Sequence, residues 1–123
     1  MLHLRPLSPE DHLSLVEVEG SLHERTGTRW RALLLGLVSQ KENGLVVDLR
    51  GCETIDDHCL KALLATGAAL KAAGGAGVAL VLFPGSALSE ALGRRSSRYG
   101  IPSYASASDA LLALGAPASS ASA

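Results

Sequence analysis

Two short apolar runs, "LVVDL" (Leu45 to Leu49) and "VALVLF" (Val78 to Phe83), constrain this chain more than any other feature. Each has the length of a strand and lacks the alternation of a strand with one wet face, so each is expected to be covered on both sides, as in parallel sheets. Each is followed by a stretch of helical period. "DDHCLKALLATGAALKAAGG" reads as a helix from about Asp57 to Ala73 that stops at "GGAG". "PGS" leads into a second one, Ala87 to Arg98, with Ser86 as its N-cap. Strand and helix in alternation imply an α/β layer structure.

The flanking segments complete the pattern. "LHLRPL" and "LSLVEVEG" read as strands of a hairpin, with "SPED" as the turn between them. Within "GSLHERTGTRWRALLLGLVSQKENG" the period changes. Trp30, Leu33, Leu34 and Leu37 fall on one stripe, Thr26 or Thr28 is placed to cap a helix, and Gly44 to end it. "IPSYAS" is a short strand, and "SDALLAL" a last helix capped by Ser108. After Gly115, "APASSASA" has nothing to bury and is expected to be a disordered tail, leaving one domain over 1–114.

Composition narrows the function. Apolar residues make up 47% of the chain but aromatics only 3%, so the core must be aliphatic. With 11 basic and 12 acidic residues, a net charge of −1 supplies no field to gather nucleic acid or anionic lipid. No apolar stretch approaches the ~20 residues of a membrane helix. The two cysteines, Cys52 and Cys59, read as free thiols of a cytoplasmic protein, and the Ala, Gly, Leu and Arg usage as that of a GC-rich bacterium. A protein partner or small ligand is the expected binding target.

The densest chemistry lies between the first covered strand and its helix, where Asp56, Asp57, His58 and Cys59 are consecutive. Capping is the simplest reading. Thr54, Asp56 or Asp57 can satisfy the free N–H groups of the helix start, carboxylates suit the positive end of its dipole, and Asp57 is spaced to pair with Lys61. A metal site drawing on these residues and Cys52 has no ligand-type spacing, and neighbours ~100° apart on a helix do not readily share one ion. A Cys/His nucleophilic pair fails for the same reason, and no GxSxG, GxxxxGK[ST] or GxGxxG is present. Asp48 lacks the acidic pair and late lysine that would make it a receiver-type phosphoacceptor. No cofactor is expected.

Placed on a wheel, Leu60, Leu63, Leu64 and Gly67 face one way, toward the sheet. His58, Lys61, Ala62, Ala65, Ala69 and Ala72 share the other side, which is small, flat and almost uncharged. That face is a candidate docking surface, although alanine is also simply a good helix former. Arg94, Arg95 and Arg98 crowd the end of the third helix, where cations suit the dipole.

Order and spacing of several motifs resemble the STAS domain family, over about Leu13 to Leu114. "VEVEGSL" is similar to the family's strand ending in Gly-x-Leu, and "GLVVDLRGCETID" to its hydrophobic-Asp-Leu strand with the following hydrophobic-Asp. "LKALLATGAALKAAGGAGVALVLF" and "SRYGIPSYASASDALLAL" continue the match. The resemblance implies a mixed sheet of about five strands with about four helices packed on it. It implies a non-enzymatic anti-sigma factor antagonist whose partner is an anti-sigma factor that is also an ATP-dependent kinase. In such antagonists the loop reads Asp-Ser-Ser-Gly, and the kinase phosphorylates the second serine to end the binding. Here Asp56 matches the aspartate, Asp57 and His58 stand at the serines, and Cys59 replaces the glycine.

The acceptor position is therefore His58, which has no hydroxyl. Thr54 is the alternative acceptor, set against its simpler roles as a capping or strand-end residue. The partner-binding set implied is Thr54, Asp56, Asp57, His58, Cys59, Lys61, Ala62 and Ala65. The resemblance also allows a second reading, a structural or regulatory subunit docking on a transporter ATPase or in a stress-signalling assembly.

Overall fold

The computed structural model describes residues 2–8 and 12–114. Nine elements follow in order: β1 (Leu2–Ser8), β2 (Leu13–Leu22), α1 (Glu24–Ser39), β3 (Gly44–Ile55), α2 (Asp57–Ala72), β4 (Gly77–Val81), α3 (Ala87–Arg98), β5 (Ser103–Tyr104) and α4 (Ala107–Leu114). The strands form one sheet in the order β1-β2-β3-β4-β5, with β1 antiparallel to β2 and the other pairs parallel. This is the mixed five-stranded α/β sheet with four helices that the pattern implies. The turn read from "SPED" and the tail after Leu114 fall largely or wholly outside the described residues.

Period-2 geometry explains why β4 and the first half of β3 are largely apolar on both faces. Leu45, Val47 and Leu49 point into a large core beneath α1, α2 and α3, which also holds Trp30, Leu63 and Leu92. Val46, Ala79 and Val81 point the other way and pack with Leu15 and Ala110 of α4. Both faces of the central strands are thus dry.

Several boundaries differ from the sequence reading. Helix α1 begins at Glu24, so Thr26 and Thr28 lie inside it and neither caps it. It ends at Ser39; the chain then reverses through Lys41, held at φ 58°, and Gly44 opens β3 instead of closing the helix. Ser106, not Ser108, caps α4, its Oγ accepting from Asp109 N at 3.2 Å. Strand β4 stops at Val81, and although Leu82 N still donates to Tyr104 O at 2.9 Å, Phe83 is exposed.

The most consequential difference is the length of β3. Its pairing with β4 ends at Asp48↔Val81, but β2 accompanies it as far as Leu22↔Ile55, through two register shifts. Beyond Leu49 the strand is mostly exposed, so it loses the apolar run that marks a doubly covered strand. A two-stranded ribbon therefore projects past the rest of the sheet and carries the start of α2 at its tip.

At the opposite end of the sheet, the α1–β3 and α2–β4 connections are clasped together. Asn43 O accepts from Ala76 N at 2.8 Å, and its side-chain Oδ1 accepts from the same N–H at 3.1 Å. Only a glycine permits this approach at position 75, where a Cβ would sit 2.4 Å from Asn43 O. Helix α2 stops as "GGAG" implies: Gly74 takes φ +91° and Gly75 N returns to Leu70 O at 2.8 Å.

Candidate functional site

The ribbon delivers the chain to α2 through a backbone bond from Asp56 N to Leu22 O, 2.9 Å, the last link between β2 and β3. Asp56 is the N-cap, with extended φ −81° and ψ 169°, and its Oδ1 accepts from Cys59 N at 2.8 Å. That hydrogen bond, with the nearby His58 and His23, holds the Asp56 carboxyl below its usual range. Of the three capping candidates, Asp56 is the one that caps.

Asp57 turns outward and meets α3. Its Oδ1 accepts from Arg95 Nη1 at 2.7 Å, and this guanidinium draws the carboxyl pKa down, with Lys61 a weaker attraction. The expected Asp57–Lys61 pair is thus displaced by a cross-helix one, and Arg95 serves more than the dipole of its own helix. Nothing local in the sequence signals this partner, 38 residues away.

Cys59 turns inward. It is 2% exposed, and α1 comes so close that a Cβ on Gly27 would lie 3.4 Å from its Sγ. Burial, reinforced by the Asp56 carboxylate, pushes the thiol pKa up to about 11. Its carbonyl accepts from Trp30 Nε1 at 2.9 Å, a buried bond that fastens the first turn of α2 to α1. The Cys59 thiol is thus withdrawn from the surface on which His58 and Lys61 stand. Cys52 is also buried, donating to Thr54 O at 3.3 Å, and its thiol pKa is likewise raised by burial.

Thr54, Asp57, His58, Lys61 and Ala65 are exposed, while Asp56 and Ala62 are half-buried. A small cleft of about 140 Å³ opens beside them, lined by Gly27, Arg31, Asp56, His58 and Cys59. The acidic and sulfur groups diverge: one caps, one meets Arg95 and the thiols are buried. Among the described residues no three His, Cys, Asp or Glu side chains are grouped to hold a metal ion.

The outer side of α2 is not the flat surface that the helical wheel implies. Ala62, Ala65 and Ala69 form one wall of a groove whose other wall is Leu34, Leu35 and Val38 of α1. Sequence reasoning missed the α1 side because Leu35 belongs to the run "LLL", where the exposed member is set only by how the helix rolls onto the sheet. Asp48, at the other face, accepts from Arg50 N and Nε at 3.0 Å and Nη2 at 2.7 Å, a self-contained pair in the middle of β3, where β4 stops accompanying it.

No protein-family profile and no curated protein sequence matches the chain. Solved structures do. An anti-sigma factor antagonist from Mycobacterium paratuberculosis superposes with a TM-score of 0.75 at 23% identity, over 93% of this chain and 92% of that one. The unphosphorylated anti-sigma factor antagonist SpoIIAA gives 0.67 at 14% identity, over 89% and 92%. The phosphorylated form of SpoIIAA, a Bacillus cell fate determinant, gives 0.67 at 13%, over 90% and 96%. Together with the strand order and the four helices, these superpositions show that the chain has the STAS-type α/β fold of solved anti-sigma factor antagonists.

Proposed function

We propose that this protein is a non-enzymatic regulatory module of the anti-sigma factor antagonist kind, which binds a kinase-type anti-sigma factor through the β3–α2 tip. The observation that carries the reading is the tip itself. The start of α2 is held by the Asp56 cap, the Trp30 bond and the Arg95 ion pair, while His58, Lys61 and Ala65 are left facing solvent. A surface fixed before binding loses little freedom when it docks. The buried, protonated Cys59 thiol also gives no support to nucleophilic chemistry there.

SpoIIAA has been solved with and without phosphate, so this fold accommodates both states in that protein. Here the acceptor position is His58, and Asp57 already places a carboxylate beside it. Of the hydroxyls nearest the tip, Thr66 is buried and donates to Ala62 O at 2.8 Å, which leaves Thr54 exposed. The reading is therefore a constitutive antagonist without a serine switch.

The test is a pull-down of the tagged protein from its host lysate with ADP present, comparing wild type with a His58→Glu, Lys61→Glu double variant. Recovery of a kinase-type anti-sigma factor that the double variant loses is the expected result. Adding ATP should transfer no phosphate to the wild type. Recovery of a transporter ATPase, or of no partner that depends on these residues, overturns the antagonist reading, and phosphate on Thr54 overturns the constitutive one.

A further inference from the structure

The groove between α1 and α2 has a volume of about 310 Å³, with Leu34, Leu35 and Val38 on one wall and Ala62, Ala65 and Ala69 on the other. Leu35 stands 67% exposed on its rim. Both walls run from one residue to another seven further on, Arg31 to Val38 and Ala62 to Ala69. Seven residues of helix span ~10 Å, so the trough accommodates about two turns of a third helix. Three alanines on one wall leave space for its backbone to approach, and Leu35 supplies a ridge to pack against it. The polar side chain inside, Thr66, already donates to Ala62 O, so it makes no demand on an occupant.

Charge identifies the occupant further. Arg31 closes one end of the groove and also lines the cleft beside Asp56 and His58, so groove and tip are continuous at this residue. It is exposed, and among the described residues no ion pair engages it. Lys61 is exposed immediately before Ala62, and no residue lining the groove is acidic. The carboxylates nearest the groove, Asp56 and Asp57, are committed to the α2 cap and to Arg95, so a second copy laid in the groove would offer Arg31 no free carboxylate from the equivalent surface. Helix α4 packs on the other face of the sheet, and residues 115–123 contain no Asp or Glu.

We infer that this groove receives an amphipathic helix of the protein partner, which lays an apolar stripe between α1 and α2 and sets an Asp or Glu against Arg31. The inference deepens the proposed function, since the groove continues from the tip and both would be covered by the same partner. It adds a contact of a different kind: helix-in-groove packing, read from anchors at i, i+3 or i+4 and i+7.

The experiment places the photocrosslinking amino acid p-benzoylphenylalanine at Leu35 of the full chain in its native host, and sequences the captured peptide. The expected product is a partner segment with apolar residues at helical spacing and a carboxylate at one end. Ala65→Glu should weaken partner binding by about tenfold or more, as a charge set into an apolar contact does. Arg31→Glu should weaken it less and be rescued by reversing the partner's carboxylate to Lys. Both substituted positions are exposed, so the variants fold, and their circular dichroism verifies this.

Capture of the protein's own peptides, of lipid only, or of nothing overturns the inference, as does unchanged affinity in Ala65→Glu. The two readings fail separately. An anti-sigma factor recovered through His58 and Lys61 without a Leu35 crosslink sinks the groove alone, while a crosslinked acidic helix from a different kind of protein sinks the antagonist reading alone.

Discussion

Trp30→Phe tests whether the tip is held from below. The indole is completely buried, and its Nε1 donates to Cys59 O at 2.9 Å. Because Cys59 O lies inside α2 and keeps its intrahelical role, removing the indole N–H orphans no carbonyl, and the loss is the net value of one hydrogen bond, about 0.5–1.5 kcal/mol. The phenyl ring also buries less surface. A difference of roughly 50 Å² at ~25 cal/mol/Å² adds about 1.2 kcal/mol. The sum is a destabilisation of about 2–3 kcal/mol. At ~2.1 cal/mol/K per residue over a domain of ~110 residues, each kcal/mol moves Tm by about 4 °C, so a fall of roughly 8–12 °C is expected.

The assay is urea unfolding followed by far-UV circular dichroism, since the substitution removes the protein's one tryptophan and with it the fluorescence signal. Amide exchange supplies a second readout. Leu60 N, which donates to Asp56 O at 3.0 Å, should exchange faster relative to the centre of α2. A loss below about 0.5 kcal/mol with unchanged exchange would refute the view that Trp30 anchors the start of α2.

Other consequences can be checked directly. Gly75→Ala places a Cβ 2.4 Å from Asn43 O, and since backbone lies on both sides of the contact the strain should cost about 1–3 kcal/mol in urea unfolding. On acidification, Asp56 and Asp57 have lowered pKa values, and so does Asp48, where burial raises the carboxyl but the Arg50 bonds outweigh it. Their stabilisation is present above the unfolded carboxylate pKa of ~3.9 and is lost as pH falls through the folded values, so Tm should be flat near pH 6 and drop below about pH 4. On the alkaline side Cys59, raised to about 11, contributes stability that is complete below the ordinary thiol pKa and lost as pH climbs toward its folded value; Tm should decline above about pH 9 in wild type and less in Cys59→Ala. Both thiols are buried and protonated, so a disulfide-exchange reagent at pH 8 should label them only at the rate of unfolding, and fast labelling of the native protein would contradict the inward placement of Cys59.

Where the chain's own periodicity determines the outcome, the sequence was sufficient. The covered strands, the helix that follows each, the Ser86 cap and the "GGAG" stop follow from local rules of burial and capping, because the groups that satisfy them are within a few residues. Asp56 as the start of α2 was legible for the same reason, although Thr54 and Asp57 competed on equal local terms. Ser106 and Ser108 show the limit: two serines of equal capping ability, two residues apart, are separated only by where β5 releases the chain into α4.

The functional surface was decided by contacts between distant segments. Beyond Leu49, β3 loses its apolar signature because only β2 accompanies it there, so the projecting ribbon is a product of pairing and not of periodicity. Asp57 finds Arg95, the Cys59 thiol is enclosed by α1, and the alanine face becomes a groove once Leu35 stands beside it. Each depends on how α1 and α3 settle against α2 across a shared core, a three-body packing result that no local pattern in the chain encodes.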